Sequence, residues 1–129
     1  MKPVLHVSEQ ISNCHVFLHY WKSVPPENVS PILADWVTRG DIRSPDCGTV
    51  ACAGGWLSVM PEFQSLGVVA GEDGRPVLPG VSYLPDVERY LFGCAGIFAA
   101  RTRDLPELSD HEYVTRRFLT QIGELHTEL

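Results

Sequence analysis

From Ile11 onward, apolar residues recur three and four positions apart. Ile11, Cys14, Leu18 and Trp21 share one face of a helix. The pattern predicts a first helix capped by Ser8 and running to about Lys22, stopped by Pro25-Pro26. Ser30-Pro31 predicts a second start, a cap followed by proline at the first helical position. Ile32, Leu33, Trp36 and Val37 form its apolar stripe, and Gly40 stands where a helix C-terminus favours glycine.

Ser44-Pro45-Asp46 predicts a third helix, reaching about Met60 before Pro61. It carries Gly48, Gly54 and Gly55, each costing about 1 kcal/mol in a helix relative to alanine. The compensation expected is a flat face of Gly48, Ala51, Cys52 and Gly55 that lets another helix press close. From Gly67 the period changes. Val68-Val69-Ala70, an Asp73-Gly74 turn and Val77-Leu78 predict a short hairpin, with Pro76 limiting its pairing. Pro85-Asp86 opens a short helix ending at Gly93, with Val87, Tyr90 and Leu91 inward. The segment 94–103 has no clear period. Ser109-Asp110-His111-Glu112 is a capping box for a last helix to about Leu125. Its packed side is Tyr113, Val114, Arg117, Phe118, Gln121, Ile122 and Leu125. The expected fold is mainly α: a compact bundle of about five helices with a small inserted β-hairpin, as one domain over residues 1–129.

Composition narrows the classes. At 44% hydrophobic and 20% charged, the 129-residue chain can bury a core. A net charge of -6, with bases scattered among acids, argues against direct nucleic-acid binding, which needs clustered Lys and Arg. No apolar run reaches membrane-spanning length, and Met1 to Glu9 lacks a signal core, so a cytoplasmic protein with free thiols is expected.

The candidate chemistry centres on Cys47, in the first turn of the predicted third helix, where unpaired N–H groups and the helix dipole lower a thiol pKa. A cysteine hydrolase would also need a base, for which His111 is one candidate and His126, His15 and His19 are others. The alternative is that Cys47 simply packs. On one continuous helix Cys47 and Cys52 would have Cα atoms about 8.6 Å apart. That is beyond the roughly 7 Å a disulfide spans. His15 and His19, four apart, could join a cysteine at a zinc site, but no metal-ligand spacing supports this and no metal or other cofactor is expected. The glycine cluster contains no lysine and is not a phosphate loop. Arg101, Arg103, Arg116 and Arg117 interleave with acids, which reads as local ion pairing.

The string Cys47-Gly48-Thr49-Val50-Ala51-Cys52-Ala53-Gly54-Gly55-Trp56 resembles a pattern, Cys-Gly-Thr-x-x-Cys-x-x-Gly-Trp, of small uncharacterised proteins encoded by bacteriophages, prophages and some bacteria. The likeness extends over residues 33–123, through Trp36, Leu66-Gly67-Val68, Leu91-Phe92 and Ser109-Asp110-His111. After Phe92 the chain departs from it, with Gly93-Cys94-Ala95-Gly96 in place of a polar linker. The resemblance implies a phage or prophage origin and a compact helical fold, and no reaction. Physically, Cys47, Gly48, Thr49, Cys52, Gly55 and Trp56 read as a structural motif of small residues beside one large anchor.

Together these observations lead to an accessory protein that binds a host or phage protein, in host takeover or defence inhibition such as an anti-CRISPR-like block. The contact surfaces expected are the hairpin tip, Glu72-Asp73-Gly74-Arg75, and the loop from Arg101 through Arg103 to Glu107. The alternatives are the Cys47 hydrolase and an acidic nucleic-acid mimic.

Overall fold

The computed structural model describes residues 5–29, 37–39, 50–71, 74–98 and 109–129; for residues 37–39 and 50 it describes the backbone alone. It is mainly helical. In chain order the elements are α1 (Val7–Trp21), a 3-10 turn (Pro26–Asn28), β1 (Val37–Arg39), β2 (Val50–Ala51), α2 (Ala53–Leu57), α3 (Pro61–Ser65), β3 (Val69–Ala70), β4 (Pro76–Val77), α4 (Leu84–Phe92) and α5 (Asp110–His126). Among the described residues these are five helices and a small antiparallel hairpin, which is the mainly helical class with an inserted hairpin read from the sequence, although α3, starting at Pro61, stands where a helix stop was expected.

α1 forms where its period predicts, with one change at its start. The cap is His6, whose Nδ1 accepts from the Ser8 backbone N–H at 3.1 Å, while Ser8 itself lies inside the first turn. An imidazole nitrogen here does the work of a serine oxygen. α4 opens on Leu84-Pro85 and stops at Gly93, which adopts a left-handed φ of 85°. A Cβ at Gly93 would lie 2.8 Å from Leu125 Cδ2 and 3.0 Å from Gln10 Oε1, contacts those side-chain ends could relieve, so it is the left-handed conformation that requires glycine. α5 is capped by Ser109, whose Oγ accepts from the Glu112 N–H at 3.1 Å. The hairpin pairs Val69 with Val77 and Ala70 with Pro76. It closes where the Gly71 N–H donates to the Arg75 carbonyl at 2.7 Å.

Two expectations are corrected. Val37–Arg39, read as the end of a second helix, is a strand paired antiparallel with Val50–Ala51, with an irregular register between Val37 and Arg39. Val37 and Thr38 are β-branched and lose side-chain freedom in a helix, and a distant partner strand offers them ladder bonds instead. The third helix does not run from Asp46 to Met60. Val50–Ala51 is β2, Cys52 is extended with ψ at 172°, and α2 begins only at Ala53. Ala51 therefore sits between backbones, bridging Val29 on one side and pairing with Val37 on the other. Its side chain is fully buried. Small residues do admit a close backbone approach here, but between strands and not along a helix face.

One buried apolar cluster draws on all five helices. Its centre is aromatic. Phe17 stacks on Phe118 with ring centroids 4.0 Å apart and on Trp21 at 5.4 Å. Phe92 meets Phe118 edge to face at 5.0 Å, and Phe98 completes the group. The segment 94–98, which had no clear period, thus places Phe98 in the core and leaves Cys94 half-buried.

Candidate functional site

The two polar clusters that the described residues place inside the fold surround α4 and Cys52. At the end of α4, helix carbonyls accept hydrogen bonds from side-chain amides of its neighbours. Gln10 Nε2 donates to the Arg89 carbonyl at 3.1 Å, and Asn13 Nδ2 donates to that of Leu91 at 2.9 Å. Gln121 Nε2 donates to the Phe92 carbonyl at 2.7 Å. Glu88 lies beneath them at 1% exposure. Its Oε1 accepts from the Gly96 N–H at 2.9 Å and its Oε2 from the Phe98 N–H at 2.8 Å. The carboxylate thereby folds the 94–98 turn back onto α4. Sequence reasoning missed these roles. For Glu88 a signal existed, since residues 84, 88, 91 and 92 share a helix face and only Glu88 among them is polar.

Beside this cluster, Arg117 Nη1 donates to the Tyr113 hydroxyl at 2.8 Å and lies over the Tyr113 ring at 5.7 Å. Burial, reinforced by Glu88, pushes the Cys94 thiol pKa up, and Arg117 partly offsets this.

At the second cluster, Cys52 is the residue before α2 and is fully buried. Burial raises its thiol pKa, while the backbone N–H groups of Gly55 and Gly54 pull the other way and lose. Such a sulfur is held in its protonated, packed form. Gly55 is buried within α2, and Ser58 Oγ donates to its carbonyl at 2.7 Å. Trp56 is buried too, and its indole Nε1 donates to the Asn28 carbonyl at 2.9 Å, tying the motif to the 3-10 turn. The remaining motif residues, Cys47, Gly48 and Thr49, lie outside the described residues. The helix that would have separated Cys47 from Cys52 does not span them, so that argument against a bridge between them lapses.

His111, one candidate base, is half-buried at the start of α5. It stacks on Trp21 with rings 4.7 Å apart and nearly parallel. Its Nε2 donates to the Trp21 carbonyl at 2.8 Å, and Trp21 Nε1 donates to the His111 carbonyl at 3.2 Å. The reciprocal pair braces the end of α1 against the start of α5. With Nε2 committed, only Nδ1 remains for proton transfer.

His15 and His19 are exposed on α1 while Cys52 is buried, and His126 is exposed in the last turn of α5. Among the described residues no group of three or more His, Cys, Asp and Glu side chains is arranged to hold a metal ion. No helix among them is long and apolar enough to cross a membrane. Of the expected contact residues, Arg75 is half-buried at the base of the hairpin turn, and Glu72, Asp73, Arg101 and Arg103 lie outside the described residues.

The surface around the hairpin is apolar in places. Leu66, Val69 and Tyr83 are 46%, 55% and 65% exposed, and only Leu119 and Leu129 among the other described large apolar residues are comparably open. The three fall within one stretch of eighteen residues that contains the hairpin and its flanks. Compared with known proteins, the chain matches no family model, no curated protein and no solved structure.

Proposed function

We propose that this chain is a small phage-type accessory protein that acts by binding a host or phage protein, in host takeover or defence inhibition, of which an anti-CRISPR-like block is one form. The observation that carries the reading is the exposure of Leu66, Val69 and Tyr83 around the hairpin. Exposed aromatic and aliphatic side chains supply the apolar centre of a protein contact. Cys52 is buried and His111 is braced against Trp21, so both have structural roles, and the case for or against catalysis rests on Cys47. The Cys-Gly-Thr-x-x-Cys-x-x-Gly-Trp pattern is the basis for the phage setting.

Capture from a lysate of a candidate host bacterium tests the reading, using the wild type, a Val69→Asp/Tyr83→Ser variant and a Leu119→Ser control. The expected result is a stoichiometric partner retained by the control and reduced at least about tenfold by the double variant. No stoichiometric partner, or equal loss in both variants, overturns it. Iodoacetamide separates it from a thiol hydrolase: Cys47 should alkylate no faster than free cysteine at neutral pH. An acidic nucleic-acid mimic would instead release its partner steeply as salt is added.

A further inference from the structure

Contacts on either side of two thiols place them on one seam. On α1, Gln10 reaches Gly93, where a Cβ would lie 3.0 Å from its Oε1, and the Phe17 ring is 6.0 Å from that of Phe98. Cys14 stands between Gln10 and Phe17 on the same buried face, about one turn from each. Cys94 stands between Gly93 and Phe98 in the sequence. The Asn13–Leu91 hydrogen bond of 2.9 Å fixes the approach of the two segments.

We propose that Cys14 and Cys94 form a disulfide-closing thiol pair, a modification site whose oxidation staples α1 to the turn after α4. The bracketing contacts bring the part of α1 around Cys14 against the turn that carries Cys94. Burial pushes the Cys14 thiol up to about 12, and the charge on Cys94 contributes to that rise.

Their exposure sets the order of reaction. Cys94 is half-buried and reachable, whereas Cys14 is fully buried. The oxidant is a low-molecular-weight disulfide such as oxidised glutathione. The Cys94 thiol loses its proton, and its sulfur attacks one sulfur of the oxidant. A mixed disulfide forms, the oxidant S–S bond breaks, and the departing thiolate takes up a proton. The Cys14 thiol then loses its proton and attacks the Cys94 sulfur. The protein S–S bond forms and the second small thiol leaves with a proton. Two electrons pass from the protein sulfurs to the oxidant. Both attacking thiols have raised pKa values, so closure is slow at neutral pH and faster in mild alkali.

The test treats reduced full-length protein with oxidised glutathione at mildly alkaline pH and maps disulfides after non-reducing trypsin digestion. Cys14 falls on the peptide ending at Lys22, Cys94 on Tyr90–Arg101, and Cys47 and Cys52 together on Ser44–Arg89, so the products are distinct. A Cys14–Cys94 linked peptide is expected, with a thermal midpoint raised by about 5–15 °C and returned by dithiothreitol. In Cys14→Ser the glutathione adduct at Cys94 should persist, and in Cys94→Ser the thiol of Cys14 should stay reduced. A lasting Cys94 adduct in the wild type, or a link from Cys94 to the Ser44–Arg89 peptide, overturns the proposal.

Discussion

Around the end of α4, polar side chains from three helices converge on backbone groups. Gln10 and Asn13 come from α1, Gln121 from α5 and Glu88 from α4 itself. Around β2 and α2 the means are different. There Ala51, Cys52 and Ala53 are fully buried, backbones approach closely, and the Trp56 indole reaches across to the Asn28 carbonyl. The first region is held by directed hydrogen bonds over an aromatic core, and the second by the smallness of its side chains. Directed bonds fail when one partner is removed, whereas a small-residue contact fails when something is added. The two regions should therefore respond to opposite kinds of substitution.

The largest effect is expected where the aromatic core meets the first region. Phe17 contacts the rings of Trp21, Phe92, Phe98 and Phe118. Phe17→Ala should cost about 3–5 kcal/mol, through lost transfer energy and the cavity left behind. Urea unfolding measures it, and a cost below that of a half-buried residue such as Leu18 would contradict the packing described.

Next comes Glu88. Glu88→Ala leaves the Gly96 and Phe98 N–H groups without their acceptors and should cost about 2–4 kcal/mol. Glu88→Gln keeps the shape but turns an amide NH₂ toward one N–H, so it should cost somewhat less, about 1–3 kcal/mol. If glutamine restored full stability, the two-acceptor geometry would not be what holds the turn. In the second region the informative change is an addition: Ala51→Leu should cost about 1–3 kcal/mol by overpacking, although leucine is the more hydrophobic residue.

How far these two regions could be read from the sequence differs for the same reason. α1, α4, α5 and the hairpin carry local signals: a helical period, Pro85 in a first turn, Gly93 past a last turn, the Ser109–Glu112 box and the Asp73-Gly74 turn. Local signals were enough to predict them. The pairing of 37–39 with 50–51 joins segments more than ten residues apart, and nothing within either segment names the other. Glycines and a Ser-Pro-Asp start read as helix there because the competing ladder is non-local. The amides of α1 and α5 were missed in a similar way. Gln10 and Asn13 are residue types that normally face water, and only the arrival of α4 gives them carbonyls to bond. Of the candidate site, Cys52, Gly55, Trp56 and His111 can be placed, and each has a structural partner or a buried position. The start of the motif at Cys47, Gly48 and Thr49 lies outside the described residues.

The pH response sharpens the comparison further. A Cys14 thiol held protonated to about 12 keeps its proton in the folded state after the unfolded chain has lost it, near the ordinary value of 9.0. Its contribution to stability is thus fully present below pH 9 and is lost as pH rises toward 12. Between those limits one thiol costs about 1.4 kcal/mol per pH unit. Cys14→Ala should flatten that alkaline limb under reducing conditions. Burial also raises the Cys52 thiol in the second region, and Cys52→Ala should flatten the limb in the same direction.

The smallest change separates the two regions most directly. Trp56→Phe keeps the apolar ring but removes the indole N–H that reaches the Asn28 carbonyl at 2.9 Å. If the second region rests on close packing, the substitution should cost only about 0.5–1.5 kcal/mol. Gln121→Ala, which removes one of three amides at α4, should cost a similar amount alone. The difference should appear in combination. Gln121→Ala and Asn13→Ala act on neighbouring carbonyls of one helix end, so their double mutant should depart from additivity. Trp56→Phe combined with Gln121→Ala touches no shared partner and should be additive within about 0.5 kcal/mol. Coupling between Trp56 and Gln121 as large as that between Gln121 and Asn13 would mean that the core responds as one unit, and that the distinction between bonded and close-packed regions is not an energetic one.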